Sequence, residues 1–419
     1  MATALTALSD KPFRLFTIGS LCFCCAWWLQ RTTLAWAVWS SLASPFWLGL
    51  TGFAEIVPLL ILMPISGALA DRYDRVYILR WCQIFSVLIS LVLVVVSIFF
   101  RMTPELGLIM FCARGAINAL YLPASLAIVP QLVKNQHLNS AIGVNSIVLN
   151  VSVAIGPGMA SIILLHSSAA VAYGLSALLH AAFLGLLFAI PHESSASPQQ
   201  RSTRSTFADV FTGYKSAFSR PSIRTMLLIY LIATLGGRSL MDLLPGFAGL
   251  VPQKSLQLLS WLFGAFGVGA TLGSVWMSII SADKGNALRP YVSIGLFVMI
   301  VAAGSLAGSP GYFISISSAF VLGFTIAVNG IGTQVVIQHE AADAVRGRIM
   351  ALYTFIFRAG WALGAFIIGA AASIVGLRAA GVGSAVVCLC AWAAVEAASV
   401  PDRSRSLDAN RQRLIRWRQ

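Results

Sequence analysis

Charge is what this chain lacks most. Only 10% of its 419 residues are Asp, Glu, Lys or Arg, against about 25% in a soluble protein. With 58% hydrophobic residues and a mean hydropathy of +0.84, that scarcity excludes a soluble domain of this length. Acids are scarcer still, 14 against 28 basic residues, for a net charge of +14. In a soluble chain such an excess would point to nucleic acid. In an apolar one it follows from basic residues being retained on the cytoplasmic side, so no nucleic-acid partner is expected. The seven cysteines lack zinc-ligand spacing with histidine and fall in or beside apolar runs, where they read as small buried hydrophobes. No nucleotide-binding glycine loop, metal cluster or nucleophile–base constellation is found. The pattern therefore calls for no cofactor, no metal and no enzyme, and the lack of a soluble domain argues against an ATP-driven pump. The first residues, MATALTALSDKPFR, show no basic n-region and no cleavage site, so the first apolar helix is expected to stay.

What is present is a succession of runs of about 20 apolar residues, each long enough to cross a bilayer as a helix. Twelve are read: 13–38, 46–70, 77–100, 106–131, 139–165, 169–190, 222–250, 256–280, 288–308, 311–337, 347–374 and 377–399. One long polar interruption, 191–221, separates six from six. The expected organisation is an all-α membrane protein: an N-terminal half (1–190), a cytoplasmic linker (191–221), a C-terminal half (222–400) and a basic cytoplasmic tail (401–419). If the N-terminus is inside, 21 of the 28 basic residues fall on inner segments and three, Arg101, Lys254 and Arg378, on outer ones. That bias predicts both termini in the cytoplasm and a multi-pass protein of the inner or plasma membrane. The basic tail reads as a stop-transfer and lipid-headgroup segment, with a regulatory or partner-binding role as the alternative.

The organising stretch is Gly67–Arg80, GALADRYDRVYILR, a tight charged turn between two membrane-length runs. Its charges must lie at the water interface, and its small residues allow close helix approach. By itself this fits either a gate or a solvated loop. The GxLADRxxR pattern, carried by Gly67, Leu69, Asp71, Arg72 and Arg75, resembles the signature loop of the major facilitator superfamily of transporters. It departs from that pattern at Asp74, where many members have Gly, and at Val76. The fifth run carries Gly143, Ser152, Gly156, Pro157 and Ser161, similar to the antiporter motif of superfamily exporters with small residues replacing three glycines. Read as residues alone, it is equally a Pro-kinked packing helix. The block Arg346-Gly347-Arg348-Ile349-Met350-Ala351-Leu352-Tyr353 resembles the branch that contains enterobactin exporters and macrolide-efflux-like proteins. The resemblance implies two pseudo-symmetric six-helix halves, a substrate site between them near mid-membrane, and a cytoplasmic gate. In that gate Asp71 faces the N-terminus of the eleventh helix, with Arg346 and Arg348 beside it.

Six charged residues stand out inside the runs: Arg31, Glu55, Arg114, Arg238, Asp242 and Arg358. Each costs roughly 2.5–3.5 kcal/mol at mid-membrane, so each needs a partner or a wet cavity. Arg31 and Glu55 lie about 7 and about 9 residues from the outer ends of adjacent helices, within a few ångströms in depth, and are expected to pair. Arg238 and Asp242 are one turn apart and are expected to pair as well. Glu55 and Asp242 are the candidate proton carriers, with helix clamping as the bland alternative. Arg114 and Arg358 have no evident acid. Four arginines against two acids favour an anionic or hydrogen-bond-rich cargo. Among the aromatics Trp27, Trp28, Trp36, Phe111, Tyr121, Tyr230, Phe266 and Trp361, the ones selected for a cavity wall are Trp28, Tyr121 and Trp361. His180 reads as packed or cavity-lining.

The function expected is proton-coupled export of a small molecule by alternating access, by a protein acting as a monomer. The cargo classes in view are siderophores and drug-like compounds. Uptake or facilitated diffusion in the same fold is the runner-up, and a membrane scaffold or receptor without transport is the remote alternative.

Overall fold

The computed structural model describes residues 2–190, 221–251, 255–284, 288–309, 311–341 and 343–417. Among these, the side chains of 2–5, 63–65, 67–68, 70–72, 135, 139, 146, 150, 154, 282–284, 343–344 and 400–417 lie outside the description. Twelve helices are long and apolar enough to cross a membrane, and no strand occurs among the described residues. They are α1 (Lys11–Leu42), α2 (Pro45–Arg72), α3 (Arg75–Phe99), α4 (Pro104–Leu132), α5 (Leu138–His166) and α6 (Ala169–Ala189) in one half. The other half has α7 (Pro221–Gly249), α8 (Ser255–Lys284), α9 (Arg289–Gly308), α10 (Tyr312–Glu340), α11 (Asp343–Val375) and α12 (Leu377–Trp417). The predicted runs fall on these helices, which extend past them where polar residues complete a turn. The expected linker, apart from Pro221, lies outside the described residues. The backbone of the expected tail continues α12 as helix through Trp417.

Local chemistry sets the boundaries. Pro45 and Pro104 open α2 and α4, where a missing amide hydrogen costs nothing. Asp74, the residue that departs from the signature loop, caps α3 by accepting hydrogen bonds from the amides of Val76 (2.7 Å) and Tyr77 (3.4 Å). Thr103 does the same for α4 through the Leu106 amide at 3.3 Å. Two residues, Ala43 and Ser44, join α1 to α2, and Ala43 is left-handed at φ 50°. Gly376, at φ +85°, alone joins α11 to α12.

The two halves repeat one packing scheme. α1 packs on α5 and α6, α2 on α4, and α3 on α4 and α6; six helices later, α7 packs on α11 and α12, α8 on α10, and α9 on α10 and α12. Between halves, α2 lies along α11 and α5 along α8. The face carrying the α6 end and the α7 start is called the linker face below, and the opposite one the far face. At the far face a Cβ on Gly49 would strike the backbone of α11 at Ala365 and Gly369, and one on Gly246 would meet Leu377, Trp39 and Leu48. The halves are thus in backbone contact at that end. The perimeter exposes large apolar side chains such as Phe85, Ile162, Phe313 and Ile374, as a lipid-facing surface requires. An apolar groove of about 690 Å³ between α2, α3 and α4, lined by Trp81, Phe85, Ile89 and Met110, lies on this surface and suits acyl chains.

α7 is not one regular helix. Residues Thr234–Arg238 form a π-helical turn between two α-helical pieces, with Gly236 and Gly237 inside it. Their missing side chains make room for Cys388 and Met299 of the neighbouring helices.

Candidate functional site

The site grows from four interior charges. Arg31 on α1 holds Glu55 of α2 through Nε at 2.8 Å and reaches Asp242 of α7 through Nη1 at 2.9 Å. The first contact is the ion pair expected from depth. The second crosses between the halves, and it is an ion contact rather than an aligned hydrogen bond, since neither Asp242 oxygen has a hydrogen-bond partner among the described residues. The Asp242 side chain is only 2% exposed, so its charge depends almost wholly on Arg31. Two glycines permit the geometry. A Cβ at Gly52 would strike Asp242 Oδ2 at 2.5 Å, and one at Gly115 would strike the Glu55 carbonyl.

Two expectations are corrected. Arg238 makes no ion pair with Asp242 among the described residues. The α-helix restarts only at Leu240 and the Asp242 amide bonds back to the Ser239 carbonyl at 3.2 Å, so the regular turn on which that pairing rested is missing, and Asp242 contacts Arg31 instead. Arg114 does have an acid: its Nη2 lies 3.5 Å from Glu55 Oε1. It also donates to the Trp27 carbonyl at 3.0 Å and, at very short range, to Gln30 Oε1, and its guanidinium lies 3.9 Å from the Trp27 ring centroid. Gln30 passes the network on to Ser90 at 2.9 Å. Arg114 is thereby locked into the N-terminal half.

Trp361 on α11 stands between two arginines from different halves, 5.0 Å from Arg31 and 4.7 Å from Arg238, measured to its ring centroid. Trp28 lies 5.6 Å from Arg31. Tyr121, chosen as a cavity wall, is a packed residue instead. It is buried in the N-terminal half, stacked on Phe23 at 3.7 Å, because α1 and α4 meet there through aromatic faces. His180 is likewise packed, sharing a 3.0 Å hydrogen bond with Gln83. Arg358 has no ion pair among the described residues and lies 5.8 Å from the Phe357 ring centroid.

A cavity of about 230 Å³ lies beside Arg238, almost entirely within the C-terminal half, with Val153 of α5 closing it. Its walls include Tyr230, Tyr353, Phe357, Asn329 and Gln334. Of the cavity aromatics considered from sequence, Tyr230 and Phe266 line it; Tyr353, Phe357 and the two amides were not among them. Their signal lay in α10 and α11 as polar or aromatic residues on the face of an otherwise apolar run. A further interior acid, Glu396, sits near the end of the last apolar run. It accepts from Ser293 Oγ at 2.5 Å, and Trp392 Nε1 donates to that same hydroxyl at 3.0 Å.

On the antiporter-like helix, Gly156 is where α5 meets α1: a Cβ there would strike Trp28 and the Cys25 carbonyl. Ser152 is buried and takes a weak 3.7 Å contact from the Cys25 thiol. Pro157 is buried, and its carbonyl accepts from Ser161 at 3.0 Å. Gly143 has open space around it. On the linker face, Arg75 donates to the Ala127 carbonyl at 3.1 Å and Arg346 to the Ala341 carbonyl at 3.3 Å; Arg346 and Arg348 are exposed. The gate residues Gly67, Asp71 and Arg72 lie, as side chains, outside the described residues. A device not foreseen sits nearby: Asp10 Oδ2 takes the His137 ring nitrogen at 2.9 Å and the Lys134 amide at 3.3 Å, pinning the N-terminal segment Ala2–Ser9 to the α4–α5 turn. These contacts, the His137 hydrogen bond foremost, hold the Asp10 carboxyl below its ordinary value of 3.8.

Residues 2–416 match the family described as Transmembrane secretion effector. The chain belongs to that family. Among curated relatives, a staphyloferrin A transporter of Staphylococcus aureus is 29% identical over 165 residues, 39% of this chain and 41% of that one, so the match spans under half of that relative. An uncharacterised transporter of Bacillus subtilis in the major facilitator superfamily is 24% identical over 77% of each chain. An enterobactin exporter of Escherichia coli is 23% identical over 76% of this chain and 74% of its own. Among solved structures, a nucleoside transporter (NupG) superposes with a TM-score of 0.73 at 15% identity, covering 92% of this chain and 99% of that one. A bacterial homologue of the lysosomal transporter Spinster gives 0.69 at 15%, covering 93% and 97%. The fold is that of a major facilitator transporter, and the protein is a multi-pass membrane protein.

Proposed function

We propose that this protein exports a small anionic molecule from the cytoplasm by alternating access, in exchange for protons. The observation that carries the reading is the Arg31–Asp242 contact, a buried ion pair joining the halves beside the closed far face. In an apolar site such a pair is an all-or-nothing fastener, because either charge left alone is strongly disfavoured. An anionic cargo entering from the linker face competes with Asp242 and Glu55 for the arginines. Once Arg31 binds cargo, the fastener is undone and the halves part at the far face. The freed carboxylate, now without a cation in an apolar site, takes up a proton from outside. When cargo leaves and the halves close, Arg31 pairs with the acid again and the proton leaves to the cytoplasm. One anion out and one proton in is the resulting exchange. The relatives that carry siderophores support a chelator-like cargo and leave drug-like cargo as the alternative.

In the same reading both termini and the 191–221 linker are cytoplasmic, the protein works as a monomer in the inner or plasma membrane, and Asp71 with Arg346 and Arg348 forms the gate of the linker face. The test is transport in proteoliposomes under an imposed pH gradient, with internal pH as readout. Siderophores, macrolides and dyes are the candidate cargoes, compared for native protein, Asp242→Asn and Glu55→Gln. Cargo-dependent proton flux, reduced at least about tenfold in Asp242→Asn, is expected from the loss of a charge-assisted contact. Cargo movement indifferent to the gradient and to both substitutions would overturn proton coupling and leave facilitated diffusion.

A further inference from the structure

The C-terminal cavity and the Arg31 cluster differ in one respect that bears on recognition. Arg31 is saturated by two acids. Arg238, which lines the cavity, has neither ion pair nor hydrogen bond among the described residues; its neighbours are rings, Phe357 at 4.5 Å and Trp361 at 4.7 Å. A guanidinium held by rings on its faces keeps its in-plane donors free, and these fit a carboxylate with two parallel hydrogen bonds. Beyond it, Tyr230 is nearly parallel to Tyr353 (centroids 4.6 Å apart, planes 8°) and to Phe357 (6.3 Å, 5°). Tyr353 is fixed by donating to the Gly330 carbonyl at 3.0 Å. Tyr230 and Tyr353 are thus in contact and make one flat aromatic wall, on which a planar guest stacks in offset fashion. Asn329, also in the cavity wall, donates one amide hydrogen to the Thr325 carbonyl at 2.9 Å, and its Oδ1 is buried without a partner among the described residues, an acceptor waiting for a donor. At about 230 Å³ the space is smaller than the about 300–1,000 Å³ of pockets for drug-sized ligands.

We infer that this cavity is a binding site for a single-ring aromatic carboxylate bearing a hydroxyl or amino group, its carboxylate on Arg238, its ring against Tyr230 and Phe357, and its donor on Asn329 Oδ1. The inference rests on the transport reading for its place in a cycle, and it deepens that reading by naming the cargo, or the cargo's recognised moiety. The binding itself is tested without transport. Purified full-length protein in nanodiscs is titrated by calorimetry with 4-hydroxybenzoate, benzoate, cyclohexanecarboxylate and benzylamine. Expected are one site for 4-hydroxybenzoate, weakening from benzoate to cyclohexanecarboxylate, and no heat with benzylamine. Arg238→Gln weakens 4-hydroxybenzoate at least about tenfold, Asn329→Leu removes its advantage over benzoate, and Arg101→Gln, exposed between α3 and α4, changes nothing. Thermal unfolding of each variant separates lost binding from lost fold. Equal affinity for the aromatic and the saturated acid, unchanged affinity in a folded Arg238→Gln, or no binding by native protein would overturn the inference. The two readings fail separately: siderophore-driven proton flux without aryl-acid binding sinks this one alone, and saturable aryl-acid binding with no transport of any cargo sinks the transport reading alone.

Discussion

Arg114, buried, and Arg238, half-buried, are arginines beside aromatic rings, one in each half, yet their surroundings are opposite. Arg114 is held by Glu55, by Gln30 and by the Trp27 carbonyl, and the polar chain continues through Ser90. Arg238 has rings for neighbours and a cavity in front of it. A satisfied interior charge specifies packing; an unsatisfied one that borders a void specifies a guest. In the N-terminal half the interior arginine is spent on packing, and in the C-terminal half it borders a cavity.

Substitution breaks this contrast most sharply. Arg114→Leu leaves the Oε1 atoms of Gln30 and Glu55 without their cation, and is expected to cost about 3–5 kcal/mol of stability, while Arg238→Leu leaves the unfolding temperature in detergent unchanged or raised. Equal destabilisation by the two would show that Arg238 too is structural. Next in size is Gly49→Val at the α2–α11 crossing. Its side chain cannot fit against the Ala365 carbonyl, so far-face closure is lost, and a cysteine placed at that face should gain reactivity toward a membrane-impermeant thiol reagent. A smaller effect comes from Asp10. Its carboxyl is held low by His137, so its contribution is complete above 3.8 and is lost as pH falls through the lowered value. Asp10→Asn should flatten the pH dependence of thermal stability below about pH 4 and leave it unaltered in shape above pH 5. The smallest is Ala43→Gly, which relieves a left-handed alanine and should raise stability by about 0.5–1 kcal/mol, offset in part by glycine's unfolded-state entropy.

Much of the architecture was legible because membrane helices announce themselves by length and apolarity alone. Depth along neighbouring helices was enough to pair Arg31 with Glu55. Partners across the bundle were not legible in that way. Arg238 and Asp242 look paired only if α7 is a regular helix, and nothing in the letters TLGGR marks a π turn apart from its two glycines. Arg114 seemed to lack an acid because its partner is on another helix at a crossing made possible by Gly115, and sequence distance carries no information about crossings. Tyr121 was chosen for its chemistry and lies in the packed core, since an aromatic in a membrane helix has the same letter whether it faces a cavity or Phe23. Glu396 escaped because a lone acid near a helix end resembles an interfacial charge.

The π turn at Thr234–Arg238 has a consequence for inheritance. Removing one codon within it would let α7 wind as a continuous α-helix, better hydrogen-bonded and more regular. Because the i→i+5 turn holds one residue more than an α turn, the residues beyond it would keep their phase and Asp242 would still face Arg31. A shorter gene would encode a tidier helix with the same fastener, so the irregular turn is a message one residue long whose effect is local, on the places of Gly236, Gly237 and Arg238.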